Sequence, residues 1–137
     1  MPDAAELALR ALRHRERTRH ELDQRLERAG VTPDERAAAL DRLTEVGLLS
    51  DDRFAEERAR TLAGRGASDA MIRRELRRDG VDHAAVEQAI AQLESEHERA
   101  ARVFERRGGG PRALRYLAGR GFAAETLEHL GAADALE

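Results

Sequence analysis

Two stretches of the sequence, TRHELDQRLERAGV at residues 18–31 and SDAMIRRELRRDGV at residues 68–81, lie 50 positions apart and share one pattern. Each stretch begins with a hydroxyl residue, carries aliphatic residues at its fifth and ninth positions, and ends in Gly-Val. A spacing of four places the aliphatic side chains on one face of a helix. Thr18 and Ser68 suit the N-cap of such a helix, and Gly30 and Gly80 suit its left-handed end.

The same register continues on both sides of these stretches. At the offset of 50, apolar positions coincide over some thirty residues without a gap, a length that indicates an internal repeat. A weaker third copy follows at an offset of 41, which pairs Leu76 with Leu117 and Gly80 with Gly121. The positions that we expect to be buried and equivalent in the first two copies are Leu22, Leu26, Leu40 and Leu43, with Ile72, Leu76, Ile90 and Leu93.

Each copy carries three apolar stripes at helical spacing. The sequence therefore predicts an all-α fold of tandem three-helix repeats that form an elongated, curved array. We place the repeats at residues 1–49, 50–94 and 95–137. Gly131 falls where the repeat would have an aliphatic residue, so we expect an abbreviated last helix in the third repeat.

One stretch leaves two interpretations open. Residues 82–107 contain neither Gly nor Pro, and a single helix over them would be about 39 Å long at 1.5 Å per residue. The alternative is two helices with a break at Ser95.

The composition favours a helical, non-enzymatic protein. Charged residues make up 37% of the chain and aromatic residues 3%, and cysteine is absent, which excludes disulfides and thiolate chemistry. No apolar leader or span is present, so we expect a cytoplasmic protein with no membrane contact. We expect no catalytic residue, metal or cofactor, because there is no Gly-rich phosphate loop and no paired ligand spacing among His14, His20, His83, His97 and His129.

Charge is unevenly distributed in a chain of net charge −3, whose 24 basic residues are all arginine. Residues 99–120 hold seven arginines and one acid, and residues 10–19 hold five arginines and one acid. Such segments attract phosphate, although a solvated helix face explains either of them equally well. The Gly108–Pro111 run is more typical of a turn before a Pro-started helix than of a phosphate cradle.

The link between the first two copies reads Gly47-Leu48-Leu49-Ser50-Asp51-Asp52-Arg53-Phe54-Ala55. Ser50 or Asp51 is suited to cap a helix that begins at Asp52, and Phe54 is suited to anchor it in the core. Adjacent acids here favour a helix start over a catalytic or metal-binding carboxylate pair, because they stabilise exposed amides and the helix dipole.

This link, together with the Arg-Thr-x-x-Glu-Leu segment that contains Thr18, Glu21 and Leu22, resembles the RecX family of bacterial recombination regulators. The resemblance covers residues 7 to 122, and its most specific piece is Leu-Leu-Ser-Asp-Asp-x-Phe-Ala. RecX proteins are tandem three-helix repeats, which agrees with the repeat found from the sequence alone.

The resemblance implies a protein that binds the RecA recombinase and its filament on single-stranded DNA. It implies inhibition of the ATPase and strand-exchange activities of RecA in homologous recombination, DNA repair and the SOS response. We expect a monomer, although the sequence leaves the oligomeric state open. As candidates for contact with DNA phosphates or with the protein partner we select Arg102, Arg106, Arg107, Arg112 and Arg115, followed by Arg73, Arg74, Arg77 and Arg78. The alternative is a freestanding DNA-binding module of helix-turn-helix type. The chain has few side chains suited to reading base edges for such a role, because it has no asparagine and only three glutamines.

Overall fold

The computed structural model describes residues 3–136, and within that range the regular structure consists of nine α-helices and no strand. They fall into three groups of three along the chain, which we call units 1, 2 and 3. Unit 1 contains α1 (Ala4–Leu12), α2 (Arg19–Arg28) and α3 (Pro33–Glu45). Unit 2 contains α4 (Asp51–Gly64), α5 (Asp69–Arg78) and α6 (His83–Ala91), and unit 3 contains α7 (Glu96–Arg106), α8 (Gly110–Gly119) and α9 (Ala124–Leu136).

The all-α repeat fold predicted from the sequence is confirmed. Helix pairs in extensive contact belong to the same unit, and each unit encloses its own cluster of buried apolar side chains. Six of the eight predicted core positions are buried, whereas Ile90 and Leu93 are partly buried at the edge of the unit 2 core. Val86 and Ala89 of α6 are buried in that core.

The second helix of each unit begins in a related way. Thr18 caps α2 by accepting a hydrogen bond from Glu21 N (3.1 Å), and Ser68 caps α5 by accepting one from Met71 N (3.1 Å). The equivalent residue before α8 is Gly109, which offers no side-chain acceptor. Two of these three helices therefore have the predicted hydroxyl cap.

The ends of these helices are alike in all three units. Gly30, Gly80 and Gly121 have φ values of 85°, 89° and 87°, the left-handed region that favours glycine. The apolar residue after each glycine donates its amide hydrogen back to the helix that it leaves, through the bonds Val31 N to Leu26 O, Val81 N to Leu76 O and Phe122 N to Leu117 O.

The units are joined through these helix ends. The hydroxyl of Thr18 donates a hydrogen bond to the carbonyl oxygen of Asp79 at the end of α5 (2.9 Å). The hydroxyl of Ser68 donates in the same way to the carbonyl oxygen of Arg120 at the end of α8 (2.8 Å). The second helices thus follow one another end to end, and each hydroxyl bonds to two helices at once.

Glycine lets the helix ends approach closely at these junctions. A β-carbon at Gly80 would lie 2.6 Å from Cβ of His20, and one at Gly121 would lie 3.0 Å from Oγ of Ser68. A β-carbon at Gly30 would meet nothing within 4 Å among the described residues.

Residues 82–107 form two helices, α6 and α7, and Ser95 marks the start of the second. Its hydroxyl oxygen accepts a hydrogen bond from Glu98 N (3.1 Å). The interpretation with a break at Ser95 is therefore confirmed.

The expectation of an abbreviated last helix is wrong, because α9 has 13 residues, the same number as α3. Gly131 lies inside α9, where a β-carbon would lie 3.4 Å from Cδ1 of Leu114 in α8. Glycine inside a helix costs about 1 kcal/mol relative to alanine but does not end it. Position 131 thus packs against α8 at van der Waals distance.

Within residues 3–136, no helix is both long and apolar enough to span a membrane.

Candidate nucleic-acid interface

The acidic link between units 1 and 2 has a structural role. Ser50 caps α4 by accepting a hydrogen bond from Arg53 N (3.1 Å), and α4 begins at Asp51, one residue earlier than predicted. Oδ1 of Asp51 accepts a hydrogen bond from Arg19 N at the start of α2 (2.8 Å), so this carboxylate satisfies the amide of a different helix. Burial raises the pKa of Asp51, against the lowering effect of that hydrogen bond. Asp52 is exposed.

Phe54 is 8% exposed and belongs to the core of unit 2, as predicted. Its ring also lines a groove of about 350 Å³ between units 1 and 2. The charged residues that line this groove are of both signs: Arg15, Arg58, Glu16, Glu57 and Asp79. A surface of mixed charge suits contact with a protein better than contact with a run of phosphates.

The basic segment at residues 10–19 is largely occupied by internal ion pairs. Arg15 and Arg17 both donate to Oε1 of Glu21 (2.9 Å each), and the buried Arg17 also donates to the carbonyl oxygen of Ala11 (2.9 Å). Arg19 pairs with Asp41 (2.7 Å). In this segment Arg10 and Arg13 are exposed and have no ion pair among the described residues. Glu21 of the family motif is therefore a structural anchor for two arginines.

Unit 3 contains both structural and exposed arginines. Arg99 is 7% exposed and donates to Asp69 and to the carbonyl oxygen of Ala67 (3.1 Å), so it joins unit 3 to unit 2. Arg102 pairs with Glu94 across 2.6 Å on the exposed surface. The candidates of unit 3 that are exposed and lack an ion pair within the described chain are Arg106, Arg107, Arg112 and Arg115.

Arg107 has an aromatic partner. Its guanidinium carbon lies 3.2 Å from the centroid of the Tyr116 ring, an arrangement that stabilises the cation on the ring face. Arg107 follows the last residue of α7 and Tyr116 belongs to α8, so the stacked pair links these two helices.

The candidate arginines of unit 2 also divide into those that form ion pairs and those that are exposed without one. Arg73 forms a two-pronged ion pair with Glu87 (2.8 and 2.9 Å), a hydrogen-bonded contact that raises the pKa of Arg73 and lowers that of Glu87. Arg78 lies 3.7 Å from Glu75 and is 77% exposed. Arg74 and Arg77 are exposed, and the structure gives neither an ion pair within residues 3–136.

Arg65 is a further candidate that the sequence pattern did not single out. This residue follows α4 and lines a groove between units 2 and 3 with Arg106, Arg107 and Tyr116. A Gly-Arg-Gly run at residues 64–66 is a signal that could have drawn attention to it, because such a run marks an exposed turn.

Comparison with known proteins identifies the family. Residues 4–43 match the family description "RecX, first three-helix domain", and residues 50–90 match "RecX, second three-helix domain". The chain belongs to the RecX family. The first matched segment contains α1, α2 and all but the last two residues of α3, and the second contains α4, α5 and all but the last residue of α6. The RecX domains therefore coincide with units 1 and 2.

Relatives named regulatory protein RecX cover most of the chain. The protein from Xanthomonas axonopodis pv. citri (strain 306) is 39% identical over 124 residues, which span 90% of this chain and 76% of the relative. The protein from Chromohalobacter salexigens is also 39% identical, over 131 residues that span 89% of this chain and 86% of the relative.

Solved RecX structures share the fold. A crystal structure of RecX from Lactobacillus salivarius has a TM-score of 0.84 at 20% identity and covers 98% of this chain and 96% of that one. A second crystal structure of a regulatory protein RecX has a TM-score of 0.77 at 21% identity, over 93% of this chain and 70% of that one. These likenesses establish the fold over the full set of three units.

Proposed function

We propose that this protein binds RecA and its filament on single-stranded DNA and inhibits the ATPase and strand-exchange activities of RecA. The observation that carries the proposal is membership in the RecX family, in which close relatives bear the name regulatory protein RecX. Its place of action is then recombination and DNA repair in the cytoplasm, as a monomer with no catalytic activity of its own.

The distribution of charge supports contact with both components of such a filament. The groove between units 1 and 2 carries both arginines and acids, which suits contact with a protein of complementary charge. Among the arginines selected from the sequence, several in units 2 and 3 are exposed, have no ion pair in the described chain and are available to phosphates: Arg74, Arg77, Arg106, Arg107, Arg112 and Arg115. We expect the groove of mixed charge to contact RecA and the exposed candidate arginines of units 2 and 3 to contact DNA.

The rival function, a freestanding reader of duplex DNA, has weaker support. Base edges are read mainly by Arg, Asn and Gln side chains. The chain has no asparagine, and Gln92, one of its three glutamines, donates to Oε1 of Glu56 (3.2 Å). The exposed arginines that remain suit phosphate contact, which carries no sequence information.

The test measures ATP hydrolysis by RecA on single-stranded DNA while this protein is added. We expect the rate to fall at or below equimolar ratios, and we expect no hydrolysis by this protein alone. A second measurement compares binding to the assembled filament with binding to RecA alone and to DNA alone. Unchanged ATPase and filament assembly at saturating protein would overturn the proposal and leave the DNA-binding module in its place.

A further inference from the structure

A second groove, between units 2 and 3, differs in charge from the groove between units 1 and 2. It has a volume of about 290 Å³ and is lined by Arg65 from the end of α4 and by Arg106, Arg107 and Tyr116 from unit 3. No Asp or Glu is among the described residues that line it, and its three arginines form no ion pair within the described chain. The groove therefore concentrates three positive charges beside an aromatic ring.

The two rims of this groove are fixed to each other. Nη2 of Arg120 donates a hydrogen bond to the carbonyl oxygen of Arg65 (3.2 Å), and the carbonyl oxygen of Arg120 accepts one from Ser68 (2.8 Å). Val103, a buried residue of the unit 3 core, also lines the groove. Its Cγ2 lies close to Gly66 of unit 2, at 3.7 Å from the point where a β-carbon on that glycine would lie. Because these contacts join unit 2 to unit 3, the fold sets the distance between the backbone of Arg65 and the Arg107–Tyr116 pair before any ligand binds.

We propose that this groove binds one nucleotide of single-stranded DNA. Arg65 and Arg106 hold the phosphate, and the base stacks on the Arg107–Tyr116 pair. The identification of the strand as the one inside the RecA filament rests on the proposed function, whereas binding of single-stranded DNA by the groove does not.

The chemistry of the groove favours a nucleotide over other anions. Arginine donates hydrogen bonds in a planar fork that matches phosphate oxygens, and its flat guanidinium also stacks on bases. Single-strand binding sites combine positive grooves with aromatic platforms, and base stacking on them tolerates any sequence. An acidic peptide would satisfy the arginines but would leave the stacked face of Arg107 and Tyr116 unused.

Tyr116 provides a direct readout, because it is the one tyrosine in a chain that has no tryptophan. Intrinsic fluorescence of the whole protein therefore reports on this groove alone. We expect an oligothymidine strand, titrated at low salt without RecA, to quench this fluorescence with saturation after correction for absorbance. An abasic strand of equal length and a poly-glutamate peptide should quench it much less, since neither brings a base to the ring.

Substitutions test the two halves of the groove separately. Arg65→Ala should weaken binding of labelled oligothymidine and reduce the slope of log affinity against log salt by about 0.7, the value for one phosphate on a single strand. Tyr116→Ala should weaken binding about 10-fold, as expected when one base no longer stacks, and Tyr116→Phe should restore it. The matched control is Arg60→Ala, an exposed arginine of α4 that does not line the groove and has no ion pair within the described chain.

Three results would overturn the subsite. The first is no quenching of Tyr116 fluorescence up to about 1 mM strand, a concentration above the usual range of dissociation constants for non-specific binding. The second is equal quenching by poly-glutamate. The third is a loss of affinity in Arg65→Ala no larger than that in Arg60→Ala. If these occur while the protein still inhibits the RecA ATPase, the subsite fails and the proposed function stands. If oligothymidine quenches Tyr116 while the RecA ATPase is unchanged, the subsite stands and the proposed function fails.

Discussion

The hydroxyl of Thr18 in unit 1 donates a hydrogen bond across 2.9 Å to the backbone carbonyl oxygen of Asp79 in unit 2. The same hydroxyl oxygen caps the start of α2. One buried side chain therefore satisfies an amide at the start of one helix and a carbonyl at the end of another, two groups that helix geometry leaves unpaired. Ser68 repeats the arrangement between units 2 and 3, so the repeat of the sequence extends to the contact between units.

Replacing Thr18 with valine should destabilise the protein by about 2 to 4 kcal/mol. Valine keeps the shape of the side chain but removes a helix cap, worth about 1 kcal/mol, and leaves the partly buried carbonyl of Asp79 without its donor, which costs about 1 to 3 kcal/mol. Urea unfolding measures the change. The control is Thr18→Ser, which retains the hydroxyl and should cost less than about 1 kcal/mol. Equal destabilisation of the two variants would show that the bond to Asp79 does not stabilise the junction.

A pair of glycine substitutions separates backbone strain from the packing between units. Gly30 and Gly80 share a left-handed backbone, so alanine at either position should cost about 1 to 2 kcal/mol from strain alone. At Gly80 the new β-carbon would also lie 2.6 Å from His20, whereas at Gly30 it would meet nothing within 4 Å. We therefore expect Gly80→Ala to cost about 1 to 3 kcal/mol more than Gly30→Ala in urea unfolding. An equal loss of stability in the two variants would mean that the contact between Gly80 and His20 can open without any effect on stability.

The carboxyl group of Asp79 should make stability depend on pH. Burial raises its pKa above the ordinary value of 3.8, against the lowering effect of Arg58, and its Oδ2 is buried without a hydrogen-bond partner. The folded state thus holds this proton more tightly than the unfolded state does. The resulting stabilisation is fully present below pH 3.8 and is lost as pH rises through the folded pKa.

Asp79→Asn removes this titration and should unfold at higher urea concentration than the unsubstituted protein at pH 7. The difference between the two proteins should shrink as pH falls towards the ordinary pKa of Asp. Asp52→Asn is the control, since Asp52 is exposed. A stability difference between Asp79→Asn and the unsubstituted protein that stays constant with pH would contradict the assignment.

The exposed arginines of unit 3 should contribute to filament binding. Replacing Arg106, Arg112 and Arg115 together with alanine should weaken binding to RecA on single-stranded DNA. If all three arginines bind phosphates, the salt slope should flatten by about 0.7 for each phosphate that the variant no longer neutralises. The measurement is filament affinity at several salt concentrations.

The matched control replaces Arg10, Arg25 and Arg28, which are exposed, lie in unit 1 and have no ion pair among residues 3–136. This control changes the net charge by the same amount as the unit 3 variant. It should leave the salt dependence of filament affinity unchanged. An unchanged slope in the unit 3 variant would assign its arginines to a solvated face and direct attention to Arg74 and Arg77 of unit 2.

Much of the fold could be predicted because its signals are local. A hydroxyl cap bonds to an amide three residues away, and a glycine ends a helix through bonds to carbonyls within five residues, so Thr18, Ser68, Gly30 and Gly80 could be placed from the printed sequence. Because the same signals recur 50 residues later, each copy of the repeat supports the interpretation of the other. The length of the last helix could not be predicted in this way, because α9 packs along α8, and these contacts come from a neighbouring helix.

The sequence by itself thus determined the helical units, their caps and the family, since these depend on residues a few positions apart. The tertiary structure alone decided what each arginine does, because charge partners come from distant segments that stacking of the units brings together. Arg99 of the basic segment is buried against Asp69, 30 positions away, whereas Arg106 remains exposed. Arg65 and Tyr116 meet at one groove although 50 residues separate them, because the hydroxyl of Ser68 holds the end of α8 against the start of α5.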